Sequence, residues 1–415
     1  VAVALFRGLS RQQTIHLGNF WQDLVRFCLY VLLPMALIMA LLLVWQGVPQ
    51  SLSAYLPFHA LEGQEQLLPL GPAASQIAIK QLGSNGGGFF GVNSAHPFEN
   101  PTALSNWLEM VTLLTIPAAL VCTLGRYVKD SGHGRAILSA MTLLFVLGLG
   151  LSVYQELQPD PALAQLTTQA GNWEGKESRF GPVLSSIWEV ATTSASNGSV
   201  NAMHDSFTPL GGMVGMINML LGEVIFGGVG AGIYGMMLFV LLTVFLCGLM
   251  VGRTPTYLGK RLGITEMKWV VASMLVMPVG VLVIGGVTLL MPDAATIMGH
   301  DGPHGLSRLI YAYASAAGNN GSAFGGFAAA DNWQCVAIGL AMLLGRFGYI
   351  IPVLAIAGQL SRASQQDAGE GDFPIRGPLF ITLLIITVLL IGGLSFLPVL
   401  ALGPVAEHLL ILGAL

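Results

Sequence analysis

Three polar, glycine-containing stretches interrupt an otherwise apolar chain, and their residue types suit the coordination of a cation. They read GSNGGGF at 83–89, ASNGSVN at 195–201 and GNNGSAF at 318–324. Aligned on their Asn-Gly pairs, the stretches recur at intervals of 112 and 123 residues. None of them contains a carboxylate, the charged oxygen ligand that divalent cations favour. Neutral carbonyl oxygens therefore indicate a monovalent cation, potassium or sodium.

Glycine allows the alternating carbonyl directions of an ion-selectivity filter, because these backbone angles are unfavourable for a residue with a β-carbon. Several such segments around one axis would form rings of carbonyl dipoles that replace the hydration shell of the ion. Ser and Asn side chains can hydrogen-bond behind the filter or add oxygens to it. One such stretch alone is typical of a surface loop, but three phased copies favour a filter. The candidate potassium-filter residues are Ser84, Asn85, Gly86, Gly87, Ser196, Asn197, Gly198, Asn319, Asn320 and Gly321.

The composition places these stretches in a membrane protein. Of the 415 residues, 54% are hydrophobic and 9% are charged, whereas soluble domains carry about 25% charged residues. A helix needs about 20 apolar residues to cross the hydrocarbon core of a bilayer. The sequence predicts seven spanning helices, at 25–45, 107–125, 136–153, 230–251, 269–291, 333–358 and 378–400.

The linkers between these helices are of two kinds, and their charges predict the orientation. Short linkers rich in Lys and Arg lie at 126–135, 252–268 and 359–377, and long, comparatively acidic, glycine-rich linkers lie at 46–106, 154–229 and 292–332. The positive-inside rule places the short linkers in the cytoplasm, so the long linkers with their polar stretches face outward. A crossing at 211–227 would reverse this alternation, so we interpret that apolar segment as interfacial or as a bent lead-in.

Each polar stretch follows a short helix and precedes a hydrophobic helix that ends in Gly-Arg, which is the pattern of an internal repeat. The predicted fold is an all-α polytopic membrane protein with pseudo-fourfold repeats of helix, pore half-helix, filter loop and helix around a central ion pore. Closing the filter calls for four units and three are visible, so we expect the first to be missing. The predicted divisions are the cytoplasmic end of an incomplete first repeat at 1–24, the second, third and fourth pore repeats at 25–135, 136–268 and 269–361, and a C-terminal linker with an extra transmembrane helix at 362–415.

Three charged residues within or beside the apolar segments, Glu223, Arg253 and Arg346, are further candidates. Charges inside a membrane are costly and mark functional sites. From position alone, the two arginines are also compatible with helix-end anchors whose side chains reach the interface. Glu223 is equally compatible with a paired interfacial carboxylate and with a residue of an ion pathway.

Several long segments carry a resemblance to a known family. SNGGGFFGVNSAHPFENPT, TTSASNGSVNAMHDSFTPLGG, GEVIFGGVGAG, AGNNGSAFGGF and VGRTPTYLGKRLG resemble the potassium-binding A subunit of the bacterial Kdp potassium-transporting ATPase. The resemblance implies a subunit that selects potassium from outside and passes it through an intramembrane tunnel to a P-type ATPase subunit. It also implies an acidic residue at Glu223 and arginines below the filter that shape the exit, with Arg253 blocking straight passage into the cytoplasm.

The resemblance further implies a multi-pass protein of the bacterial inner membrane whose filter entrance faces the periplasm. The implied partners are the ATPase B subunit, the C subunit, the small F subunit and the lipid bilayer, with no nucleic acid. Potassium is the transported ligand, no cofactor is bound covalently, and ATP enters only through the partner subunit. The sequence carries neither a phospho-aspartate motif nor a nucleotide-binding loop, so we expect no hydrolysis by this chain alone. Alternatives are a stand-alone potassium channel or an ion-coupled symporter with the same filter, and a non-transporting scaffold with a relic pore.

Overall fold

The computed structural model describes residues 1–158, 170–364 and 373–413. Within these ranges, seven helices are long and apolar enough to cross a membrane. They are α2 (Phe20–Trp45), α4 (Ala103–Tyr127), α5 (Ser131–Glu156), α8 (Ala231–Met250), α9 (Ile264–Leu290), α12 (Asn332–Arg362) and α13 (Gly377–Ile411). All seven predicted spans are confirmed, and the polytopic all-helical fold with them.

Shorter helices lie between the spans. There are six such α-helices among the described residues. Three of them each precede a polar stretch, and the other three are an N-terminal helix before the first span, an apolar helix and a five-residue helix. They are α1 (Ala2–Ser10), α3 (Ala73–Leu82), α6 (Gly181–Ser194), α7 (Pro209–Leu220), α10 (Ala294–Met298) and α11 (Gly302–Gly318). The three that precede the polar stretches are α3, α6 and α11, and we call them the half-helices.

The described strands form only two small antiparallel hairpins. One pairs β1 (Leu56–His59) with β2 (Glu65–Leu68), and its residues are mostly exposed. The other pairs β3 (Thr256–Tyr257) with β4 (Lys260–Arg261). These hairpins lie in linkers, outside the spanning helices, and do not change the fold class.

The apolar segment 211–227 is a buried element of the protein interior. Helix α7 packs against α5, α6 and α11, and a bend at residues 221–230 connects it to α8. Most of its residues are buried, and the bend agrees with the interpretation of this segment as a bent lead-in to α8.

Helix α8 lies at the centre of the largest hydrophobic core. Met236, Val240 and Val244 on this helix are completely or almost completely buried, and the same cluster includes residues of α1, α5, α12 and α13. Close helix packing extends to the backbone, since a β-carbon at Gly8 of α1 would lie 2.5 Å from the Ala357 carbonyl oxygen of α12. The half-helices and their loops are thus positioned by a rigid, well-packed frame.

Candidate ion-selectivity filter

The three polar loops meet one another in chain order. A β-carbon at Gly86 would lie 1.9 Å from the Asn197 carbonyl oxygen of the next repeat. A β-carbon at Gly198 would lie 2.2 Å from the Asn320 carbonyl oxygen of the repeat after that. Only glycine permits these approaches, because any side chain would overlap a backbone oxygen. The structure therefore brings the three sequence-predicted loops together.

Each half-helix ends in the same backbone conformation. The residue after its last turn is left-handed, and so is the glycine two positions later, an alternation that a filter loop requires. The φ angles of the first position are 51° at Ser84, 51° at Ser196 and 60° at Asn319, and those of the second are 64° at Gly86, 87° at Gly198 and 105° at Gly321. Non-glycine residues rarely adopt such angles, so their recurrence marks a shared local design.

The Asn between these two positions closes each half-helix through its backbone. Its N–H donates to the carbonyl oxygen five residues earlier, which satisfies one of the free carbonyls of a helix end. The three N···O distances are 3.0 Å for Asn85 to Lys80, 3.1 Å for Asn197 to Thr192 and 2.8 Å for Asn320 to Ser315. The carbonyl groups beyond this closure are left for other partners.

The asparagine side chains join neighbouring repeats behind the loops. Asn197 Nδ2 donates to the Lys80 carbonyl oxygen over 3.4 Å, and Asn320 Nδ2 donates to the equivalent Thr192 carbonyl oxygen over 3.0 Å. Asn197 and Asn320 are buried, whereas Asn85 is exposed. The sequence left two roles open for these side chains, hydrogen bonding behind the loops or adding oxygens to the filter. The buried side chains of Asn197 and Asn320 hydrogen-bond behind the loops.

Sequence reasoning missed two aromatic residues that support the loops. Trp188 Nε1 donates to the Ser199 carbonyl oxygen over 2.8 Å, and the Tyr311 hydroxyl lies 2.9 Å from Ser322 Oγ. Both aromatic residues are buried, and each lies nine positions before the Asn of its own loop. The repeat alignment contained this signal, since two large aromatic residues share one aligned position.

A cavity of about 270 Å³ adjoins the half-helix ends. Its lining includes Ser84 and Ser196 from the loops, and Glu223, Arg346 and Tyr349 from elsewhere in the fold. The cavity is predominantly polar at the side of the loops, so a hydrated or partly hydrated cation fits its chemistry.

Glu223 connects this cavity to the filter loops. Its side chain is only 2% exposed, and its Oε1 accepts a hydrogen bond of 2.6 Å from Asn320 Nδ2. The bend between α7 and α8 delivers the carboxylate to this place, and the residue itself adopts a left-handed conformation with φ 53°.

Comparisons with known proteins decide the family. The family model described as "KdpA: Potassium-transporting ATPase A subunit" matches residues 1–409. The chain belongs to this family. A Pseudomonas aeruginosa member is 62% identical over 410 residues, covering 99% of this chain and 73% of the relative. Members from Pseudomonas entomophila, 60% identical (99% and 73%), and Rhodospirillum centenum, 59% identical (99% and 72%), are similar over the same extent.

All three relatives are named "Potassium-transporting ATPase potassium-binding subunit". Membership of the KdpA family confirms the resemblance predicted from the filter segments. The family name also agrees with a transport role. The seven apolar helices independently support a location in a membrane.

The two arginines predicted as gating residues of this KdpA chain are separated by the fold. Arg346 lines the cavity below the loops. Arg253 is exposed, three residues beyond the end of α8 at Met250, and is not among the residues that line the cavity. The structure therefore brings Glu223 and Arg346 together at the cavity beside the polar loops and leaves Arg253 apart.

At the opposite end of α11 from the cavity lies a charged cluster around His304. The His304 ring nitrogens lie 2.8 Å from Glu407 Oε1 and 3.1 Å from Asp205 Oδ1. Hydrogen bonds to Asp205 and Glu407 raise the pKa of His304 to about 9. Arg308 also donates to Asp205 over 2.7 Å, and although burial opposes ionisation, His304 and Arg308 together hold the pKa of Asp205 below its usual value.

Proposed function

We propose that this chain is the potassium-selective subunit of an ATP-driven potassium uptake pump. Potassium from outside the cell binds at the loops of the three repeats 25–135, 136–268 and 269–361, and passes through an intramembrane tunnel to the P-type ATPase subunit. The ion is held by backbone carbonyls of the predicted filter residues, here called the filter.

One observation carries this proposal, the mutual approach of the loops at Gly86 and Gly198. A ring of carbonyl dipoles can replace the hydration shell of potassium only if the segments share an axis. The asparagine bonds between repeats and the aromatic support behind the loops give these segments a fixed spacing. Fixed spacing and field strength are what distinguish potassium from a smaller alkali ion.

The cavity beneath the filter supports the path proposed for the ion. The Glu223 side-chain oxygens can serve as ligands for a cation leaving the filter, while the positive charge of the Arg346 guanidinium repels the cation from continuing straight on. Oxygen ligands and a positive charge at one cavity favour a turn of the path toward a neighbouring subunit. In this proposal Arg346 forms the barrier to straight passage of potassium into the cytoplasm. The same role, predicted for Arg253 from the resemblance, is tested in parallel.

The relatives' names support an ATPase complex that transports potassium, and the remaining parts of the proposal follow the resemblance to the Kdp family. Potassium is the transported ligand, and ATP is bound and hydrolysed by the B subunit, with the C subunit and the small F subunit as further partners. The complex lies in the bacterial inner membrane with the filter entrance toward the periplasm.

The test uses the full-length subunit purified with its partner subunits. We expect ATP turnover to rise on addition of potassium and to respond far less to sodium. In liposomes, we expect potassium flux only with the complete complex and ATP. ATP turnover that ignores potassium would contradict the proposal, and ATP-independent flux through the A subunit alone would favour the stand-alone channel.

A further inference from the structure

The filter loop of the second repeat, residues 84–90, is fastened differently from the other two. In the third and fourth repeats a hydroxyl on the half-helix accepts a hydrogen bond from the filter glycine. Thr192 Oγ1 accepts from Gly198 N and Ser315 Oγ accepts from Gly321 N, both over 3.0 Å. The aligned residue of the second repeat is Lys80, whose ammonium group can donate but not accept.

Lys80 reaches past this position to the next carbonyl of the loop. Its Nζ donates to the Gly87 carbonyl oxygen over 2.8 Å and lies 2.5 Å from Glu99 Oε2. The other oxygen of Glu99 accepts from the Phe90 backbone N–H over 2.9 Å. Lys80 is 2% exposed and Glu99 is fully buried, so one buried ion pair holds the loop at two points.

Packing alone does not fix the Gly87 peptide. Its φ is 92°, and no atom lies within 4 Å of the place where its β-carbon would be. A hydrogen bond from a charged donor is roughly twice as strong as a neutral one. The Lys80 contact is therefore the interaction that sets the direction of the Gly87 carbonyl among the described residues.

We propose that Lys80 is a positioning residue for the potassium site. Its ammonium group, neutralised by Glu99, holds the Gly87 carbonyl and thereby fixes the second-repeat loop in the geometry that prefers potassium to other alkali ions. This inference rests on the proposed function, because it assigns a specificity role within the same filter.

The experiment compares apparent affinities for potassium and rubidium, measured by ion-stimulated ATP turnover of the full-length complex. Lys80→Met removes the donor but leaves Glu99 charged and unpaired, which endangers folding. Lys80→Met combined with Glu99→Gln removes both charges and keeps similar shapes. We expect each of these variants, provided it folds, to lose about tenfold in apparent potassium affinity, because one charged hydrogen bond is lost. We also expect each to discriminate less between potassium and rubidium.

A second buried ion pair of this chain supplies the matched control. Lys176 and Glu156 are 2.7 Å apart with fully buried side chains, and the further hydrogen bonds of these side chains go to residues 172, 174, 206 and 208, outside the three polar stretches. Lys176→Met combined with Glu156→Gln should reduce stability and leave the potassium-to-rubidium ratio at the wild-type value.

The outcomes separate this inference from the proposed function. The positioning role is supported if the potassium-to-rubidium affinity ratio falls in the Lys80 and Glu99 double variant but not in the Lys176 and Glu156 control. A wild-type ratio and affinity in that variant overturns the positioning role while the proposed function stands. A wild-type complex that does not respond to potassium at all overturns both.

Discussion

At the scale of single residues, Gly86 and Gly198 mark the closest approach between filter loops. Each faces a backbone oxygen of the following repeat, at distances that exclude a β-carbon. Gly87 also has positive φ but faces open space. A glycine can be required because its φ is positive or because there is no room for a β-carbon. Gly86 and Gly198 meet both conditions and Gly87 meets only the first, a difference that the sequence does not show.

We expect Gly86→Ala and Gly198→Ala to weaken apparent potassium affinity by about tenfold or more, because the loops must move apart to relieve the overlap. The aspartate variants Gly86→Asp, Gly198→Asp and Gly321→Asp should weaken potassium selection as well, since they add a charged side chain to a site built for backbone. The measurement is potassium-stimulated ATP turnover of the purified complex over a range of potassium concentrations.

Gly87→Ala is the control for these variants. It also introduces a β-carbon at positive φ, at a cost of roughly 1–2 kcal/mol, but without an overlap. A loss of affinity in Gly87→Ala as large as that in Gly86→Ala would show that backbone strain, and not the approach of the loops, explains the effect.

At the scale of elements, a hydroxyl group near the end of two half-helices, α6 and α11, holds the loop that follows. The Ser315 hydroxyl accepts from Gly321 N at the point where α11 gives way to its loop. Ser315→Ala leaves this N–H without its partner, which costs about 1–3 kcal/mol when the group is buried. We expect a lower melting temperature together with weaker apparent potassium affinity.

Ser307→Ala on the same helix is a suitable control for Ser315→Ala. Ser307 is also buried, but its hydroxyl only donates to the Pro303 carbonyl oxygen within α11. This variant should change potassium affinity little. Equal losses of affinity in the two variants would mean that helix stability in general, and not the loop contact, sets the affinity.

The cluster around His304 links the start of α11 to the end of α13 and makes stability depend on pH. The folded-state pKa of His304 is about 9, above the ordinary value near 6.5. The stabilisation is therefore complete below about pH 6.5 and is lost as pH rises through about 9. We expect the melting temperature of the complex to fall over that window, and to fall less in His304→Gln. Identical pH profiles for the two proteins would exclude this contribution.

The sequence predicted the elements well because their signals are local. Seven apolar runs of spanning length and three aligned Asn-Gly pairs needed no knowledge of the packing. The role of Lys80 was hidden, because its partners Gly87 and Glu99 are defined by how the loop folds back on its half-helix. The sequence analysis assigned no role to Trp188 or Tyr311, because their support of the loops depends on contacts that only the fold defines.

At the scale of the whole molecule, the sequence could not decide which arginine lies below the filter. Arg253 and Arg346 each follow a glycine near the end of a hydrophobic helix, so linear position treats them alike. Helix α12 continues for sixteen residues beyond Arg346, to Arg362, whereas α8 ends at Met250, before Arg253. A β-carbon at Gly345 would lie 1.8 Å from the Ala317 carbonyl oxygen of α11, and this close packing places Arg346 directly beside the filter.

The two arginines therefore test how charge closes the direct route to the cytoplasm. We expect Arg346→Ala to remove the positive charge from the cavity, so that potassium leaks through proteoliposomes without ATP and the ratio of ions moved to ATP hydrolysed falls. Arg253 was assigned this barrier from the family resemblance, but it does not line the cavity, which predicts that Arg253→Ala stays coupled. Arg346→Lys keeps a positive charge and should restore most of the barrier. Leak in Arg253→Ala with tight coupling in Arg346→Ala would return the barrier to Arg253 and would require the ion path to leave the cavity in another direction.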